Sequence, residues 1–160
     1  MADIITDGRT RVYSVPSIAN IAAPTVAELN AGVQLEGLIT ADGIMGFQPD
    51  TAEVDTSALN STFNTKLPGR ASFSGTGLRL KKQGATGDTV YNLLINGFVT
   101  NIVIRRDVTS TTAWTVAQAC EVYPGVCGEV KNLDPAPNEV HKWEVPFFIS
   151  PQPNLRAVVA

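Results

Sequence analysis

A chain of 160 residues, 44% hydrophobic and 17% charged, is one domain with enough apolar residues to build a core without staples. The charged fraction lies below the roughly 25% of an average soluble protein, which suits a chain whose faces are covered by its own copies. A net charge of −3 argues against a sequence-independent nucleic-acid binder, which needs a basic stripe to displace counterions.

In chain order, the opening Met1-Ala2-Asp3-Ile4 lacks the basic and apolar regions of a signal peptide, and no later run reaches membrane-spanning length. The protein is therefore expected to stay in the cytosol where it is made. Residues 1–23 show little regular pattern and are expected to form an N-terminal arm that orders only between neighbouring subunits. A short helix follows Pro24, because Thr25 and Glu28 stand at capping-box spacing and Gly32 is a natural stop.

Residues 47–82 read as strand but are unusually polar. Thr51, Glu53, Asp55 and Ser57 share one face, with Ala52 and Val54 on the other. Ser72, Ser74 and Thr76 repeat a small polar face opposite Phe73, Gly75 and Gly77. Between these strands lies a connection over 56–69, far above the two to five residues usual in hairpins. Leu59, Phe63 and Leu67 make it too apolar for a solvated tip, so it is expected to dock onto a neighbouring subunit.

A second helix is predicted from N-cap Asp88 through Asn96 to Gly97, with Val90, Leu93, Leu94 and Gly97 on one stripe. Strands are expected at 100–108, at 117–129 with an interruption at Pro124-Gly125, and at 139–149. In the last, His141, Trp143, Val145, Phe147 and Ile149 alternate onto one face, with Trp143 and Phe147 as core anchors. A final strand covers 155–159.

Charge is segregated. The balance is −6 over residues 1–60, +5 over 61–110 and −2 over the last fifty. Two arrangements satisfy this: copies attracted head to tail, or the two regions neutralising each other within one subunit.

The chemical inventory is sparse. His141 on a strand is read as a packed or hydrogen-bonded residue and not as a base. Cys120 and Cys127 are seven apart, face opposite sides of a strand, and are read as small buried or half-buried hydrophobes. Glu53 and Asp55 lie about 6–7 Å apart on one face, a spacing open to a cation or half a glycosidase pair, but an acidic solvated face explains them better. Gly75-x-Gly77 is only a fragment of a dinucleotide fingerprint. There is no phosphate loop, nucleophile elbow, zinc spacing or calcium loop. No catalytic residue, cofactor or metal is expected.

Several stretches together resemble the major tail tube proteins of long, non-contractile-tailed (siphovirus-type) bacteriophages, especially those of actinobacteria. They are Thr25-Val26-Ala27-Glu28-Leu29-Asn30-Ala31-Gly32, Leu38-Ile39-Thr40-Ala41-Asp42-Gly43, and Val54-Asp55-Thr56-Ser57-Ala58-Leu59-Asn60-Ser61-Thr62-Phe63 with Pro68-Gly69-Arg70. Glu121-Val122-Tyr123-Pro124-Gly125-Val126-Cys127-Gly128-Glu129 and Val145-Pro146-Phe147-Phe148-Ile149 complete the set. The resemblance implies a mainly β, tail-tube-type sandwich or partial barrel with one or two short helices. It implies hexameric rings whose strands close a shared central barrel, stacked along a virion tail. The implied partners are further copies, a tape-measure protein, tail-tip and terminator proteins, and viral DNA passing without specific binding. The C-terminal immunoglobulin-like domain of some relatives is missing, so a smooth tube is expected.

On that pattern Glu53, Asp55, Ser72, Ser74 and Thr76 are expected to face the lumen. Residues 56–69 become the stacking loop, with Leu59 and Phe63 as apolar anchors and Lys66 and Arg70 meeting acids of the next ring. Two other classes remain open: a tube-like or capsid-decorating virion module that does not polymerise, and a small β-sandwich hydrolase using Glu53 or Asp55. The scarcity of aromatics (7%) counts against the hydrolase.

Overall fold

The computed structural model describes residues 3–84 and 87–160. Its main sheet runs, in spatial order, through β2 (Val33–Gln34), β1 (Arg11–Val15), β7 (Val99–Arg105), β8 (Ala119–Cys127), β10 (Lys142–Ile149), β6 (Gly77–Lys81) and β3 (Ile39–Met45). Two further strands attach to it, β11 (Asn154–Val158) on β8 and β9 (Lys131–Asn132) on β10, and all pairings are antiparallel. The fold is mainly β, a curled half-barrel with two short helices, as expected. Outside this sheet stands a two-stranded hairpin of β4 (Asp50–Asp55) and β5 (Lys66–Ser72).

The curl is made by β10. Its first half, Lys142 to Pro146, pairs with β6, and its second half, Phe147 to Ile149, pairs with β8. The alternation in this strand packs as read, with Trp143, Val145 and Phe147 all buried. His141 departs from it. It lies just before the strand, is exposed, and contributes only its carbonyl, which accepts from the Lys82 N–H at 2.8 Å.

Period-two alternation in β1, β7 and β8 supplies two cores at once. Val12, Ile102, Ile104, Tyr123 and Cys127 join Trp143 and Phe147 in one cluster, while Tyr13, Val15, Val103, Cys120 and Val122 enter a second on the opposite face. The cysteines therefore sit in different cores, both free and buried. Each helix closes one cluster. The first, α1 (Val26–Asn30), buries Leu29 in the second core and carries the complete Thr25–Glu28 capping box. The other, α2 (Thr89–Leu93), places Val90 and Leu94 in the first. It stops at Leu94, short of the predicted Asn96, and the chain then turns through Gly97 at φ +83°.

Two expectations are corrected. Residues 1–23 are not a free arm throughout, since β1 lies between β2 and β7 with all five residues buried. The mixed run Arg11-Val12-Tyr13-Ser14-Val15 has no clean alternation because both of its faces are covered, and Arg11 and Ser14 are made tolerable by partners. Nor does β8 break at Pro124-Gly125. The Pro124 carbonyl accepts from Ser150 N–H at 3.0 Å, on the edge where β10 ends and β11 has not yet begun. The missing N–H of Pro124 falls on that gap, where no ladder bond is lost. A Cβ at Gly125 would run into the Phe148 carbonyl and, at 2.7 Å, the Phe147 ring, so glycine is what lets β10 lie this close.

Arg105 is fully buried at the end of β7 with no carboxylate bonded to it. Its guanidinium instead donates to the carbonyls of Thr109, Thr112 and Ala113 and to Gln118 Oε1, at 2.8 to 3.3 Å. It also lies 4.8 Å from the centre of the Trp114 ring. Burial, then the nearby Arg11 guanidinium, pulls its pKa below the ordinary arginine value. One cation thereby organises the link between β7 and β8. Arg105→Leu would strand these acceptors, and the expected loss is about 3 kcal/mol in urea denaturation, with the m-value unchanged.

Candidate assembly surface

The hairpin β4–β5 is inserted between β3 and β6. Its root is aromatic. Phe47 is buried, with its ring 4.9 Å from Tyr123 and 6.1 Å from Phe147, and Phe73 meets Tyr123 edge-on at 6.1 Å. The Tyr123 hydroxyl lies 3.0 Å from the Phe47 carbonyl and 2.9 Å from Glu121 Oε2, positioned to donate to either. Burial, followed by the adjacent Glu121 charge, raises the Tyr123 pKa, so the phenol keeps its proton. At the same root Gly46, at φ +68°, packs against the backbone of Ser74, Gly75 and Thr76, where a Cβ would come within 2.6 Å.

Beyond that root the hairpin pairs with none of the main-sheet strands. Every residue of β4 is exposed, and β5 is exposed except at Gly69. The register, shifted between Thr51 and Glu53, pairs Val54 with Leu67, Glu53 with Pro68 and Asp55 with Lys66. One face therefore carries Ala52, Val54 and Leu67 and the other Glu53, Asp55 and Lys66. Val54 and Leu67 are 47% and 58% exposed. The connection itself spans 56–65, because Leu67, Pro68 and Gly69 belong to β5. At its tip Leu59 is fully exposed and Phe63 is 74% exposed.

Of the residues singled out in the sequence, Glu53 and Asp55 do share a face. Lys66 joins them, ion-paired to Glu53 within the subunit. Asp55 holds the start of the tip, accepting from Ser57 N–H at 2.8 Å. Hydrogen bonds from Ser57, side chain first and backbone second, keep its carboxyl below the ordinary aspartate value. The expected polar face of Ser72, Ser74 and Thr76 does not form. Ser72 pairs with Asp50 on the Val54 side, Ser74 lies in the link to β6, and the Thr76 hydroxyl donates to the Gly46 carbonyl at 3.2 Å. The φ of +64° at Gly75 breaks the strand on which such a face depends. Arg70 is exposed and has no ion-pair partner among the described residues.

Neutralisation inside the subunit accounts for part of the segregated charge. Glu53–Lys66 and Asp42–Arg79 each join the acidic first part of the chain to the basic middle, and Arg79 also reaches Glu144 at 3.4 Å.

One feature was not anticipated from sequence. A cleft of about 870 Å³ runs between the hairpin root and the turn after β10, bordered by Arg70, Phe73, Phe148, Ile149, Pro151 and Leu155. Phe148 is 64% exposed on its wall. The available signal was Phe148 itself, an aromatic at the solvent-facing phase of an otherwise alternating strand.

Among the described residues no cluster of three or more His, Cys, Asp or Glu is arranged to hold a metal ion, and no helix is long and apolar enough to cross a membrane. Burial pushes the Cys120 and Cys127 thiols up to about 11.

A family model described as phage tail tube protein matches residues 1–160. Among solved structures, a chain of the anti-feeding prophage (AFP) baseplate, determined by cryo-EM with 6-fold symmetrisation, aligns with a TM-score of 0.54 at 14% identity. The alignment covers 92% of this chain and 94% of that one, and it establishes likeness of fold. No curated protein matches the chain.

Two outcomes are expected. At neutral pH the native thiols react with an aromatic disulfide reagent on the order of a hundredfold more slowly than after unfolding, since so little thiolate exists. The double change Leu59→Ser with Phe63→Ser shifts subunit stability by less than about 0.5 kcal/mol in urea denaturation, because neither side chain is buried in its own subunit.

Proposed function

This chain belongs to the phage tail tube protein family, and we propose that it self-assembles into stacked hexameric rings forming the tube through which the genome leaves the virion. That it is a structural component of the phage tail follows from the family, which is generally non-enzymatic. The finer reading rests above all on one observation: a rooted hairpin with both outer strand edges unpaired and an apolar face open to solvent.

Such a hairpin is marginal alone in water, and its edges invite further strands. Lateral pairing between β4 of one subunit and β5 of the next satisfies both edges, and a closed ring leaves none over. Ala52, Val54 and Leu67 then turn toward the protein wall. Glu53 and Asp55 turn toward the channel, where carboxylates repel phosphate and keep DNA from sticking. The connection over 56–65, with Leu59 and Phe63, reaches the adjoining ring. Tape-measure, tip and terminator proteins would meet the same surfaces at the lumen and at the tube ends. Siphovirus type and an actinobacterial host remain part of this proposal, carried by the sequence resemblance.

Negative-stain microscopy over a concentration series is the test. Hollow tubes or stacked rings of uniform width are expected from the wild type. Val54→Asp and Phe63→Asp are each expected to raise the critical concentration at least about tenfold, or about 1.4 kcal/mol, with unchanged thermal stability. A protein that stays monomeric at every concentration, even with the native tip complex added, would favour a non-polymerising virion module.

A further inference from the structure

Two apolar features of the chain face solvent: the Leu59/Phe63 tip and the cleft wall that carries Phe148 and Leu155. We propose that the cleft between the hairpin root and the Ser150–Pro153 turn receives the Leu59/Phe63 tip of a second copy of this chain. The inference rests on the polymer reading above and names the acceptor that the reading lacks.

The occupant follows from geometry and charge. The cleft is bordered by Thr51 and by Arg70 to Phe73, at the root of the same hairpin whose tip would fill it. Six extended residues span about 20 Å, so a tip cannot fold back into its own cleft. A second copy has no such restriction. Leu59 and Phe63 are the two most exposed large apolar side chains of the hairpin, and Phe148 and Leu155 on the cleft wall are themselves 64% and 39% exposed. Docking one pair on the other removes apolar surface from both copies.

Charge agrees. Arg70 is the one charged residue bordering the cleft, and no acid pairs with it among the described residues. At the tip end of the hairpin, Lys66 neutralises Glu53, and Asp55 has no cation partner among the described residues. The donor end thus carries one uncompensated negative charge and the acceptor one uncompensated positive charge. A tip and a cleft at opposite ends of one hairpin are different surfaces, so their contact is heterologous, and with the ring closed by edge pairing it is left to repeat from ring to ring. It supplies axial stacking, whereas edge pairing of β4 and β5 supplies the ring.

Variants with one added cysteine test the contact directly, because the native Cys120 and Cys127 are buried. Asn64→Cys, which keeps both apolar anchors, and Phe148→Cys are purified apart, mixed under tube-forming conditions, oxidised and run on a non-reducing gel. A cross-linked dimer at least about tenfold more abundant in the mixture than with either variant alone is expected. In parallel, Asp55→Arg and Arg70→Glu should each raise the critical concentration about tenfold, and their combination should restore it to within about threefold of wild type. Tubes that form without the mixed cross-link, or charge reversals that do not compensate, overturn the docking and leave the polymer reading intact. A wild type that never assembles overturns both.

Discussion

The structure depends on burying the central strands on both faces. Because β1, β7 and β8 carry apolar side chains at alternating positions toward each side, the chain must cover two surfaces, and it has two short helices and one curled sheet to do so. The β10 strand resolves this by passing from β6 in its first half to β8 in its second, so that Trp143, Val145 and Phe147 close the first core from the far side. The α1 helix, Trp114 and the C-terminal Val159 close the second. Arg105 belongs to the same constraint, because covering that face with irregular backbone requires a donor for the carbonyls it brings in, and one guanidinium supplies four bonds.

With both cores filled by the main sheet and the helices, the outer part of the hairpin belongs to neither. The hairpin is held at its root by Phe47 and Phe73 around Tyr123 and stands free from there outward. It presents open edges, an apolar face and an apolar tip to solvent, and the proposed assembly rests on these features. Ion pairs within the chain such as Glu53–Lys66 and Asp42–Arg79 leave Asp55 and Arg70 without an ion-pair partner among the described residues.

Several elements were legible because their cause is local. The Thr25–Glu28 capping box needs only a spacing of three residues, and it forms as read. Alternation from Trp143 to Phe147 needs only a pleat. The opposite facing of Cys120 and Cys127 needs only parity along a strand. Other features were hidden because their cause is distant. In Arg11–Val15 the alternation signal is erased by covering both faces. At Pro124-Gly125 a pair that ordinarily ends a strand is accepted because two partner strands meet there, leaving a gap for proline and needing close approach at glycine. Ser72, Ser74 and Thr76 keep the spacing of one face, yet the left-handed Gly75 and the hairpin register send them to three different places.

By itself, then, the amino-acid order determined the β class, the two capped helices, the anchors Trp143 and Phe147 and the existence of a long apolar connection after Asp55. Each follows from interactions spanning a few residues, which the local pattern contains. Tertiary structure alone decided that β1 enters the middle of the sheet, that the hairpin is excluded from both cores, and that Arg70 and Phe148, far apart in sequence, border one cleft. Those outcomes turn on which surfaces are already covered when a segment is placed, and that competition for burial is a property of the whole chain.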